Sequence, residues 1–382
     1  MKLKVAHVTT CRSDYGPCYW LLKELFGNEK LQTILVVGGS HLKKSHGYTY
    51  SEILKHKWPR VHRIPFLVDG DRPEDLAESC SRALKSFGYF FRDEKPDILL
   101  LYGDRIELLP IATAATIHGI PIAHICGGDV TEGAIDDQVR HALTKLAHLH
   151  FPSTKSSAMR IRKMGEEPWR IIHSGDPALD HFKLSQHASR DELEASLGFQ
   201  IHEPALLVTL HPETVFPQNN LALVDELLIV LEKWFGTIII TAPAPDPGGG
   251  TIRRKLQSFA NRKRNVHFIE SLGGYRYRSL LFYVSAVVGN SSSGLIEAAA
   301  VPVPTVNIGD RQKGRERGCN VIDARPNHKD IAKALVKSAR TDFRNSLTRR
   351  KNPYGFGDAS QIIVNKLLKI ITSNQLLKKR FE

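Results

Sequence analysis

The chain has 382 residues, enough for two domains that each bury a core, and its 42% hydrophobic and 24% charged content is that of a water-soluble globular protein. No apolar run approaches the roughly 20 residues that span a bilayer, the N-terminal segment is interrupted by Arg12 and Asp14 before a signal-peptide core forms, and five cysteines without a CxxC pair argue against a disulfide scaffold or a zinc site, so a cytoplasmic setting with reduced thiols is expected. The formal charge of +13 favours an anionic partner, but no helix-turn-helix, RRM or zinc-finger pattern accompanies it, and the cationic runs at 349–351 and 378–380 read as solvated surface.

Lys4–Val8 has the pattern of a buried strand, and Pro17–Phe26 follows with apolar residues at helical spacing; Arg12 lies in the loop between them. Further strands are expected at Thr33–Val37, Val61–Phe66, Asp97–Tyr102, Pro121–Ile125, Leu149–Pro152 and Arg170–His173, with helices between most of them. His173–Asp180 reads as an exit loop and 184–202 as a polar bridge to a second domain. A second alternation has strands at Ala205–Leu210, Thr237–Thr241, Val266–Ile269 and Ala286–Val288, helices at Asn220–Trp234, Ile252–Asn261 and Tyr275–Val284, and a Pro/Gly loop at 242–250. Alternation of this kind implies parallel sheets covered on both faces. The expected fold class is therefore α/β, with two Rossmann-like domains facing across a cleft: residues 1–178 with acid/base loops, residues 179–358 binding nucleotide, and 359–382 as a helical segment closing the structure.

Four loops follow strands, where open α/β sheets bind ligands. They are Tyr102-Gly103-Asp104-Arg105, Gly127-Gly128-Asp129, His211-Pro212-Glu213-Thr214, and the serine turn Gly289-Asn290-Ser291-Ser292-Ser293-Gly294. In the last, a helix expected over Leu295–Ala300 turns its unpaired N–H groups and three hydroxyls toward one point, an arrangement suited to phosphate as well as to an ordinary N-cap. Glu297 and the basic residues Arg311, Lys313, Arg315 and Arg317 follow it. Asp136 and Asp137 open a helix with an apolar stripe at Val139, Leu143 and Leu146, where capping and acid/base work are both open to them. His124, His141, His148 and His150 are spread over two strands and a helix, a spacing that suits separate structural partners better than one metal.

Taken together, Thr10–Gly16, Gly103-Asp104-Arg105, HICGGDVTEGAIDD at 124–137, His211-Pro212, Asp246 with Gly248-Gly249, and GNSSSGLIE through GDRQKGR at 289–315 resemble the UDP-N-acetylglucosamine 2-epimerase family. Within it they are most similar to the hydrolysing branch that feeds sialic and legionaminic acid synthesis. The resemblance covers about residues 4 to 320 and implies a GT-B fold, an inter-domain active site, no cofactor or metal, a nucleotide-sugar partner with neither nucleic acid nor membrane, and a homodimer or homotetramer. It also implies that Arg12, Arg105, Ser291, Ser292, Ser293, Glu297 and Arg311 bind substrate, with Glu297 on the ribose. His211 would stand near the diphosphate and leaving group, and Asp104, Asp129, Asp136 and Asp137 are the acid/base candidates, with Glu132 a further one. The chain departs from the family pattern at Cys126, where relatives have glutamate or histidine, and at Ala244-Pro245. A thiol replaces that acid/base group only if a cationic neighbour brings its pKa toward neutrality.

The implied reaction is loss of the proton on carbon 2 with departure of UDP from carbon 1, then hydration of the glycal with the proton returned to the opposite face. A non-hydrolysing epimerase, a GT-B glycosyltransferase and a non-catalytic nucleotide or nucleic-acid binding module are the competing assignments.

Overall fold

Twelve short strands among the described residues, nearly all of them apolar and buried, set the architecture. The structure, a computed structural model, describes residues 2–70, 72–213, 215–243, 248–347, 352–370 and 376–380. Thr214, the Ala244-Pro245-Asp246 stretch and the cationic run at 349–351 lie outside these. The chain divides into two compact units: residues 1–129, 136–183 and 354–382 form unit 1, and residues 130–135 with 184–353 form unit 2. No helix of the described residues is long and apolar enough to cross a membrane.

Unit 1 holds β1 (Leu3–Thr9), β2 (Leu31–Gly38), β3 (Val61–Ile64), β4 (Ile98–Tyr102), β5 (Ile122–Ile125) and β6 (Leu149–Phe151) in the order β3-β2-β1-β4-β5-β6. All pairings are parallel, so the polar loops leaving the strands gather along one edge. Side chains alternate between the faces. Ala6, Val8, Leu99 and Leu101 pack with the helices Pro73–Glu94, Leu108–Ile117 and Asp136–Leu146. Val5, Leu100, Ala123 and Ile125 pack on the other side with Tyr19–Gly27 and with Ala359–Ile370. Ala359–Ile370 is anchored by Asp180, whose carboxylate accepts from the backbone N–H groups of Ala359 at 3.0 Å and Ser360 at 2.8 Å.

Unit 2 holds β7 (Leu206–Thr209), β8 (Ile238–Thr241), β9 (Val266–Ile269), β10 (Ala286–Gly289), β11 (Thr305–Ile308) and β12 (Val321–Ala324). Their order, β9-β8-β7-β10-β11-β12, repeats that of unit 1, and both follow the 3-2-1-4-5-6 winding of dinucleotide-binding folds. Leu206, Val208, Ile238, Ile240, Val288 and Val306 form its core with the helices Asn220–Leu231, Gly249–Asn261 and His328–Ala339.

Three local expectations give way. Arg170–His173 is not a strand: Arg170 closes a 3₁₀ turn over Pro168–Arg170, and only Ile171 bridges to His150. The helix expected over Leu295–Ala300 is a single turn, Ser292–Leu295, followed by a 3₁₀ turn at Ala298–Ala300. The carbonyl of Gly294, which an α-helix would offer to the N–H of Ala298, is taken by the hydroxyl of Thr305 at 2.8 Å and the amide of Asn320 at 3.4 Å. The cationic run at 378–380 is not wholly solvated surface either, since Lys379 reaches into unit 1.

Candidate active site

In unit 1 the first loop is built around a buried carboxylate. Asp14 accepts from the backbone N–H of Thr10 at 2.8 Å, from the hydroxyls of Thr10 at 2.9 Å and of Thr9, and from the N–H of Cys11, while His41 stands 3.8 Å away. Burial opposes its charge, but His41 and these hydrogen bonds hold the carboxyl below the ordinary range, so it stays ionised. The turn so fixed starts the helix Arg12–Tyr15 and leaves Arg12 exposed at the carboxyl edge of β1.

Asp104 and Arg105 follow β4, and the loop from Cys126 to Asp129 follows β5. Gly128 has φ 79°, and a Cβ there would lie 2.5 Å from the carbonyl of Ser157, so only glycine fits. Beyond it Asp129 is buried, accepting from Ser157 at 2.5 Å and Ser153 at 3.2 Å. Asp136 and Asp137 occupy the first turn of Asp136–Leu146. One turn on, Arg140 is sealed from solvent and gathers the group: its Nη2 donates to Asp104, its Nη1 to Asp137 at 3.3 Å and to the carbonyl of Asp129 at 3.0 Å. Asp137 also lies 3.6 Å from His141. Two of the four acid/base candidates thus bring their carboxylates to one guanidinium and a third its backbone carbonyl, a centre that sequence reasoning passed over although the i,i+3 spacing of Arg140 from Asp137 places the two on one helix face.

Cys126 moves opposite to what an acid/base role requires. Its backbone sits at φ 61°, a left-handed conformation uncommon for a residue with a side chain. Burial, with the charges of Asp176 and Asp129 adding to it, pushes the thiol well above its ordinary pKa, and the Sγ donates to Asp176 at 3.6 Å. The charged groups that shift it are carboxylates, which oppose its ionisation. Asp176 also accepts from the backbone of Ala178 at 2.9 Å and from Tyr102 at 3.4 Å. The histidines each have their own contact: His124 with the carbonyl of Gly103 at 2.8 Å, His148 with the N–H of Ile122 at 3.2 Å, His150 with Glu166 at 3.1 Å. Burial drives His124 down to about 4, so it is neutral.

In unit 2 the hub is Asn290, also unforeseen beyond its place in a turn. Its side chain brackets the backbone of His211, accepting from the N–H at 2.7 Å and donating to the carbonyl at 2.9 Å. Its own carbonyl accepts from Arg311 at 3.3 Å and Gln312 at 3.0 Å. Asn290 therefore locks together the loops after β7, β10 and β11. Gly289, at φ 134°, lets the chain pass Thr209, since a Cβ would lie 1.9 Å from that carbonyl. Glu213, buried and with its pKa raised chiefly by that burial, accepts from the N–H of Asp310 at 3.2 Å and holds the Arg311 loop from below.

The serine turn carries its own hydroxyl chain. Tyr277 is 2.5 Å from the hydroxyl of Ser293, which is 3.0 Å from that of Ser291. Ser292 begins the single helical turn, and Glu297, just beyond its end, donates its N–H to the carbonyl of Ser293 at 3.0 Å. Of the basic residues, Lys313 pairs with Glu132 at 2.9 Å and Arg317 with Asp323 at 3.0 Å. Glu132, a further acid/base candidate, is thus paired with a lysine, and the segment 130–135 belongs to unit 2, where Gly133 packs directly on the backbone of Asp310 and Arg311.

Two doubly wound units of identical strand order, with polar loops at their carboxyl edges, are the make-up of GT-B enzymes. Their fold matches that of the UDP-GlcNAc 2-epimerase of Neisseria meningitidis solved with UDP-GlcNAc, with a TM-score of 0.83 at 20% identity, covering 96% of this chain and 100% of that one. Residues 23–368 match the family described as UDP-N-acetylglucosamine 2-epimerase, and the chain belongs to that family. It is 33% identical to the GDP/UDP-N,N'-diacetylbacillosamine 2-epimerase (hydrolyzing) of Campylobacter jejuni over 100% of this chain and 99% of that protein. It is 32% identical to the UDP-N,N'-diacetylbacillosamine 2-epimerase (hydrolyzing) of Legionella pneumophila over 98% of both.

Proposed function

We propose that this protein is a hydrolysing nucleotide-sugar 2-epimerase that converts UDP-N-acetylglucosamine, or a UDP-linked 2,4-diacetamido-6-deoxy-glucose analogue, to UDP and the free manno sugar for sialic or legionaminic acid synthesis. The observation that carries this is the end-to-end match, at about one third identity, to two proteins named as hydrolysing epimerases. In the proposed mechanism a carboxylate takes the proton from carbon 2 as the bond from carbon 1 to the UDP oxygen breaks, leaving a glycal. Water then adds its hydroxyl to carbon 1, and a proton is delivered to carbon 2 on the other face.

Two faces need two proton carriers, and Asp104 and Asp136 are assigned to them. Asp137 shares Arg140 with Asp104, and its role is to set that arginine. Asp129, held by two serine hydroxyls, is assigned to shaping the loop. Arg12, Arg105, Arg311 and His211 offset the charge on the departing diphosphate, joined by Ser291, Ser292 and Ser293, while Glu297 takes the ribose. Unit 1 is thus the acid/base unit and unit 2 the nucleotide-binding one. A cytoplasmic homodimer or homotetramer belongs to the same proposal, and sedimentation measures the assembly.

Incubation with each nucleotide sugar in heavy water tests the mechanism. Free manno sugar with one deuterium on carbon 2 is expected. UDP released without that deuterium rules out elimination, and an epimer still attached to UDP makes the enzyme non-hydrolysing.

A further inference from the structure

The segment 376–380 is bound by its backbone. Arg170, fully buried, donates to the carbonyl of Leu376 at 2.9 Å and to that of Lys378 at 2.8 Å. This hold aims Lys379 at the carboxyl end of Asp136–Leu146. Its Nζ lies 2.7 Å from the carbonyls of Lys145 and Ala147 and 3.3 Å from that of Thr144. The last carbonyls of a helix lack intrahelical partners and carry the negative end of the dipole, so an ammonium there satisfies both needs at once. The charge is balanced by Glu166, 2.9 Å from Lys379 and also bound to Lys145 at 2.9 Å and His150 at 3.1 Å.

The helix capped in this way bears Asp136 and Asp137 at its other end and Arg140 between. It is short and stiff, so its pitch and rotation at one end fix where the carboxylates stand at the other. We propose that Lys379 is a positioning residue for the acid/base helix, with the 376–380 segment acting as a strap that holds the helix in its working orientation. This inference rests on the proposed function, because it assigns the proton transfer to that helix. A misplacement of a fraction of an ångström lowers the rate of proton transfer while leaving nucleotide contacts intact.

The test pairs amide hydrogen exchange with steady-state rates in the full chain. Lys379→Met is expected to speed exchange at residues 143–147 about tenfold or more and to lower kcat about tenfold, with KM within about twofold of wild type. Lys379→Arg recovers most of both, Arg170→Lys reproduces both to a smaller extent, and Lys378→Ala, whose side chain is exposed, changes neither. An unchanged kcat in Lys379→Met overturns the positioning role, and unchanged exchange at 143–147 overturns the strap itself. Faster exchange spread evenly over the chain reduces the contact to general stability and overturns the proposal. Wild-type protein that turns over no nucleotide sugar brings down the functional assignment instead, and the exchange data then judge the strap alone.

Discussion

Arg140, buried on the helix Asp136–Leu146, donates directly to the carboxylate of Asp104 on the loop after β4. One guanidinium thereby ties the strand edge to the helix that carries Asp136 and Asp137. Arg140→Lys replaces a planar fork by a point donor and cannot serve Asp104, Asp137 and the Asp129 carbonyl together. The expected result is a fall in kcat of about a hundredfold with a folded protein. Arg140→Met removes the guanidinium from its buried and half-buried acceptors and costs on the order of 2 to 3 kcal/mol. Urea unfolding and initial rates measured side by side separate the two effects; full activity in Arg140→Lys would show that the carboxylates are held by other means.

Asn290 plays the matching part in unit 2. Asn290 is fully buried, and Asn290→Ala deletes both of its hydrogen bonds to the backbone of the half-buried His211, at a cost of about 2 kcal/mol. Because the Arg311 and Gln312 contacts are made by the Asn290 carbonyl, they survive the substitution, and the damage falls on the placement of His211. Calorimetric titration with UDP is expected to show binding weakened less than fivefold while turnover drops by more than tenfold. Equal losses in both would mean that His211 contributes only to nucleotide affinity.

The sheets were legible because their strands are unbroken apolar runs, and the four loops were legible because chain direction in a parallel sheet fixes which end of each strand carries them. β11 and β12 escaped notice: in β11 Thr305 and Asn307 interrupt the apolar run, both buried, the Thr305 hydroxyl donating to the Gly294 carbonyl and the Asn307 amide to Asp323, which in turn breaks the short apolar run of β12. The hubs Arg140 and Asn290 were illegible for a related reason. Each looks like surface or turn polarity in one dimension, and its value comes from partners 36 and 79 residues away. The same holds for Lys379, one of three cations in a row, whose neighbours in space belong to residues 144–147 and to Glu166.

Cys126 should be chemically quiet. Burial and the neighbouring Asp176 and Asp129 charges keep the thiol protonated through pH 7 to 9, and a protonated thiol is neither a base nor a good nucleophile. Iodoacetamide at pH 8 is expected to modify the exposed Cys319 long before Cys126, as mass mapping of the adducts will read. Cys126→Ser keeps a donor toward Asp176 and should retain kcat within about threefold, with no limb of the pH–rate profile lost. Loss of a basic limb in that variant would return the thiol to the mechanism.

Glu166 gives the pH dependence a sign. Burial opposes its charge, but His150, Lys379 and Lys145 win and bring its pKa from 4.5 down to about 2. A carboxyl whose folded pKa is depressed binds fewer protons when folded, so its contribution is complete above about pH 4.5 and is lost as pH falls toward about 2. Glu166→Gln removes the charge that three cationic or hydrogen-bonding partners share, and is expected to cost on the order of 2 kcal/mol at pH 7. At pH 3 the unfolded wild-type chain has already taken up the proton, so the gap between variant and wild type should narrow markedly. Urea midpoints at the two pH values decide this. A gap that stays constant from pH 7 to pH 3 would mean that Glu166 stabilises the cluster by its shape and not by its charge, and the hold of Lys379 on the acid/base helix would then have to come from the three carbonyls alone.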